Sequence, residues 1–143
     1  MHIRELLPVL QLSIGPVIVI SGVGLLLLSM TNRYGRVIDR SRTLADLLRN
    51  SEGGQNERIS AQLSILVRRA RLLRRAIILS TVSVLLAACL IIGLFLFSIF
   101  SLEAAIVGVA LFIGCMGSLI ASLVVFLLDI NASLAALELE VTP

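Results

Sequence analysis

Three stretches without a charged residue, Leu6 to Asn32, Ala76 to Leu102 and Ala104 to Leu128, constrain this chain more than any motif. Each exceeds the roughly 20 residues that carry an α-helix across about 30 Å of hydrocarbon. Lipid offers the backbone no hydrogen bonds, so only helices and closed barrels cross it. Barrel strands alternate polar and apolar residues over about ten positions, and these tracts do not alternate. The chain is 58% hydrophobic and 15% charged, against about 45–50% and 25% in soluble domains. A soluble core of 143 residues cannot hide so much apolar surface. The reading is therefore an all-α membrane protein: one domain over 1–143, with three transmembrane helices at about 6–32, 76–102 and 104–128.

The first tract is too long for the apolar region of a signal peptide, about 7–15 residues, and no small-x-small cleavage site follows it. It runs instead into "TNRYGR", which has the form of a stop-transfer boundary. Cys89 and Cys115 fall inside apolar tracts, where cysteine acts as a small hydrophobe. With His2 the only histidine and no paired Cys/His spacing, no metal site is expected.

All twelve basic residues are arginine, and eleven of them lie between Arg33 and Arg75. That segment also holds Asp39, Asp46, Glu52 and Glu57, for a net charge of +7. Basic loops of this length stay cytoplasmic. The expectation is an outside N-terminus, a cytoplasmic 33–75 segment, an outer turn at Ser101–Glu103 and a cytoplasmic C-terminus. In "VRRARLLRRAII" (67–78), Arg68, Arg71, Arg74 and Arg75 share one side of a helix and Arg69 stands apart. At the mouth of a span, arginine stems lie along the bilayer while their guanidinium groups reach lipid phosphates. Anionic lipid is thus the expected partner of this cluster; with no recognition motif, nucleic acid is not.

Within the basic segment, Val37, Ile38, Leu44, Leu47 and Leu48, and again Ile59, Leu63, Leu66, Val67 and Leu73, recur at near-helical spacing. "NSEGGQN" between them reads as a turn. This predicts a cytoplasmic amphipathic helical hairpin joining the first two spans, each arm continuing its span. Asp39 with Arg42 and Asp46 with Arg49 are candidate i,i+3 ion pairs. A helical pattern in Ile130, Leu134 and Leu137 extends the last helix over 129–141, placing Glu138 and Glu140 against the hairpin arginines.

Each span carries one small-residue face. In the first, Gly15, Gly22 and Ser29 fall at heptad spacing, with Gln11 and Arg33 near the ends of that face. Pro16 removes a backbone donor and is expected to kink the helix. The second offers Ala76, Ser80, Ser83 and Ala87; the third offers Ala110, Gly114, Ser118 and Ser122. Such faces let helices approach closely in lipid, and three of them point to homo-oligomerisation. Gln11, Ser13, Gly15, Pro16, Ser21, Gly22 and Ser29 could instead line an ion path. Glu103 and Asp129 stand at span ends. There they are either solvated, paired (Asp129 with Arg33 or Arg36), or arranged as charged rings at a pore mouth. The acids would favour cations and the arginines anions. No nucleophile–base pair, HExxH motif or phosphate loop is present, so neither an enzyme nor a cofactor is expected.

From Val19-Ile20-Ser21-Gly22 through "GLLLLSMTNRYGRVIDRSR" (24–42), the chain resembles a family of small bacterial three-span membrane proteins, domain of unknown function 2721. The most specific residues are Asn32, Arg33, Arg36, Asp39, Arg40 and Arg42. The resemblance covers the first span, the arginine-rich hairpin and the chain beyond. It implies a bacterial inner-membrane location and the three-span layout, and carries over no activity. Two functions follow from the residues: a homo-oligomeric channel for monovalent ions lined by the first span, or a non-conducting scaffold or accessory subunit held on anionic lipid by its arginine belt. A small secondary transporter is a third, without the inverted repeats that would support it.

Overall fold

Uncharged tracts and arginine-rich segments merge into three long helices: α1 (Ile3–Asn50), α2 (Asn56–Phe100) and α3 (Ala105–Val141). They are seen in a computed structural model that describes residues 3–51, 53–100, 103 and 105–141. The expected outer turn at Ser101 and Leu102 lies outside the described residues, as do His2, Glu52 and the side chain of Glu140. All three helices are long and apolar enough to cross a membrane. In their most apolar stretches only 11%, 17% and 11% of residues are buried within the chain. Most of that surface therefore faces outward, and lipid is the solvent that can cover it. This is a multi-pass membrane protein.

α1 passes through Pro8, Pro16 and Gly35 without interruption. Its buried positions Pro16, Val23, Met30 and Val37 recur every seven residues. In α2 the buried series is Leu66, Leu73, Ala76, Ser80, Ser83, Ala87 and Leu90, at alternating steps of three and four after the first. In α3 it is Cys115, Ser122 and Asp129. A 3.5-residue period keeps each seam on one side of its helix, as in coiled coils.

Two compact units form along the helices. The first comprises Met1–Leu27 and Ile78–Ala121. Its interior holds small residues, Ser80, Ser83 and Ala87 of α2 and Cys115 of α3, and Val23 of α1 is buried in the same unit. The second comprises Leu28–Ile77 and Ser122–Pro143. Its apolar centre is Val37, Leu66 and Leu73, packed by Tyr34, Leu44, Ala70 and Phe126. α1 and α2 are joined over Ser51–Gln55, where Gly53 has φ +108°. The Asn56 N–H donates to the Gly53 carbonyl at 3.3 Å, and the Ser51 hydroxyl donates to the Asn56 side-chain carbonyl.

Candidate functional site

The small faces of α2 and α3 meet. In the first unit Ser83 donates to the Cys115 carbonyl at 3.0 Å, and the Cys115 thiol donates back to the Ser83 carbonyl at 3.3 Å. Ser118 donates to the Leu79 carbonyl at 2.6 Å. In the second unit Ser122 donates to the Ala76 carbonyl at 2.7 Å. A carbon added at Gly114 would lie 3.4 Å from Leu86 Cδ1, in van der Waals contact with it. Ala110, the fourth member of the third-span stripe, is exposed.

The glycine face of α1 is exposed, with Gly15 opening onto a cleft that α2 and α3 also line. Gly15, Gly22 and Ser29 are exposed, each one residue before a buried position and so about 100° around the helix from it. A carbon added at Gly15 or Gly22 meets nothing within 4 Å. Gln11 and Ser21 are also exposed, and the Ser21 hydroxyl donates to the Val17 carbonyl of its own helix at 3.2 Å. Ser13 and Pro16 are buried, Ser13 donating to the Val9 carbonyl at 2.8 Å. An apolar cleft of about 740 Å³ opens in the same unit, lined by Leu12, Gly15, Pro16, Leu90, Phe97 and Phe112 among others, with Glu103 among its walls.

Charge gathers in the second unit. Asp129 is completely buried, 0% exposed, and accepts from two arginines. Arg33 Nη2 donates to Oδ2 at 3.2 Å and Arg69 Nε to Oδ1 at 3.3 Å. The Arg33 guanidinium also lies 5.6 Å from the Phe126 ring centroid, within cation–π range. Burying a carboxylate is costly unless it is paired and hydrogen-bonded, and each oxygen of Asp129 has a cationic donor. Arg33, one of the two partners expected for it, is found there; Arg36 is not. Arg69 is the partner that sequence reasoning missed. Grouped with the headgroup arginines, it turns inward, its side chain 17% exposed. The signal was in the periodicity: Leu66, Arg69, Leu73 and Ala76 are steps of the same three-and-four series. Arg68, Arg71, Arg74 and Arg75 are exposed.

Beside this triad is a cleft of about 260 Å³, lined by Arg33, Arg36, Arg40, Arg69 and Ser133 over Val37 and Leu66. The candidate pairs Asp39–Arg42 and Asp46–Arg49 do not close within ion-pairing distance. Among the described residues, no group of three His, Cys, Asp or Glu side chains is placed to hold a metal.

A family model described as "Protein of unknown function (DUF2721)" matches residues 13–139. The chain belongs to that family. The match takes in the whole of α2, most of α1 and α3, and every member of the Arg33–Asp129–Arg69 triad. No curated protein and no solved structure matches the chain.

Proposed function

We propose that this protein is a non-enzymatic scaffold of the bacterial inner membrane that assembles with copies of itself through the outward face of α1. Its N-terminus is outside, and the 33–75 helical hairpin and the C-terminus are cytoplasmic. The observation that carries the reading is the exposure of Gly15 and Gly22, with open space around both. Glycine within a helix costs roughly 0.5–1 kcal/mol relative to alanine. Small residues at heptad spacing offset that where a second helix comes close in lipid. The exposed arginines Arg68, Arg71, Arg74 and Arg75 suit anionic headgroups at the cytoplasmic boundary.

A conducting oligomer is the second reading, favoured by the exposed Gln11 and Ser21. Against it, Leu12, Ile14, Ile18 and Leu25 flank the same face and are exposed, so the path would be largely apolar. Asp129, enclosed by its arginines, offers no carboxylate ring.

Gly22→Leu separates the two. The oligomer is followed by cross-linking in native-like bilayers, and potassium, sodium and chloride flux in liposomes. The scaffold reading expects no wild-type flux and a variant that is folded but monomeric. Wild-type flux lost in an intact oligomer would establish conduction instead.

A further inference from the structure

We infer that the cleft walled by Arg33, Arg36, Arg40 and Arg69 binds a phosphate group, carried by a phospholipid headgroup or by a small phosphorylated solute. The cleft includes neither Gly15 nor Gly22, the two residues that carry the proposed assembly. Spacings of three and four place Arg33, Arg36 and Arg40 along one side of α1, and α2 brings Arg69 to the same cleft. Four arginines thus line one cleft, and one carboxylate, Asp129, accepts from two of them. Like charges so gathered repel unless an anion neutralises them.

The donors are also incompletely used. Arg33 Nε is buried without a hydrogen-bond partner, an uncommon state for a buried donor. Among the described residues Arg36 and Arg40 form no ion pair, although Asp39 lies on the same helix. Planar guanidinium forks match phosphate oxygens two at a time, and the Ser133 hydroxyl adds a neutral donor.

Size and place limit the ligand. About 260 Å³ is below the roughly 300–1,000 Å³ of sites for drug-sized molecules, so the cleft suits a headgroup or small anion. Arg33 directly follows the uncharged tract ending at Asn32, and Asp129 the one ending at Leu128. A bilayer that covers those uncharged tracts would bring lipid phosphates to this level.

The test uses the full chain in phosphatidylcholine nanodiscs, with thermal unfolding as readout. One arm adds inorganic phosphate, with sulfate for comparison; the other places phosphatidic acid in the disc. Stabilisation by phosphate assigns a soluble source, and stabilisation by phosphatidic acid alone assigns a lipid. In either case Arg36→Gln with Arg40→Gln should weaken the half-saturating concentration about tenfold or more. Arg49→Gln with Arg58→Gln, exposed positions outside the cleft and outside the headgroup arginines, should leave it within about twofold. Should the cleft pair fail to fold, Arg40→Gln alone keeps the direction testable. No stabilisation in either arm, or equal losses in the cleft and control variants, would overturn the site.

Discussion

Arg69 Nε and Arg33 Nη2 hold opposite oxygens of the fully buried Asp129, at 3.3 and 3.2 Å. Arg33 and Arg69 stand four residues before the buried Val37 and Leu73, and Asp129 seven after the buried Ser122, so the seam carries one charged layer.

Removing one member of that layer strands the others. Asp129→Asn should lower stability by about 3–5 kcal/mol, because two guanidinium groups lose their counter-charge. Replacing Asp129, Arg33 and Arg69 together by leucine should cost far less, since an apolar layer of similar volume leaves no uncompensated charge. Thermal unfolding in detergent measures both. Equal losses in the single and triple variants would show that the charges are not coupled.

Gly114 and Gly22 should respond oppositely to the same substitution. Gly114→Leu forces a side chain onto Leu86 and should cost about 1–3 kcal/mol by overpacking. Gly22→Leu meets open space within the chain and removes a helix-weakening glycine, so the monomer's unfolding temperature should hold or rise slightly.

The two thiols should differ in access. Cys89 is exposed, whereas Cys115 is buried and bonded to Ser83. A maleimide added to detergent-solubilised protein should modify one thiol per chain, and Cys89→Ser should abolish that signal. Cys115 should react only after denaturation. Two equivalents on native protein would contradict the burial.

Gly53→Ala should destabilise the link from α1 to α2 by about 1–2 kcal/mol, because a β-carbon at φ +108° clashes with the backbone. Chemical denaturation in mixed micelles is the check.

Much of this architecture is legible in the residues, for a physical reason. Helices in lipid must be long and uncharged, and both properties stand in the sequence at Leu6–Asn32 and its two counterparts. The small faces of α2 and α3 were also visible, and these are the faces that meet through Ser83, Ser118 and Ser122. The inward side of α1 was not. Glycine and valine are equally at home in hydrocarbon, so nothing in Gly15-Pro16 or Gly22-Val23 says which of each pair faces the other helices. The burial of Asp129 escaped for a related reason: a carboxylate just past an apolar tract reads as solvated until its partners are placed. Arg69 carried the clue, being out of phase with the exposed arginines around it.

The serine-to-carbonyl contacts of α2 and α3 also bear on how the chain enters the bilayer. A bare hydroxyl carried into hydrocarbon costs free energy until it finds an acceptor. Ser83, Ser118 and Ser122 find theirs on the opposite helix, each contact contributing about 0.6 kcal/mol on average in such settings. Partition of α2 from the translocon should then improve once α3 has been synthesised, and stalling translation at successive lengths would reveal a delay. Biogenesis, on this view, proceeds by releasing a pre-joined pair of helices rather than one segment at a time.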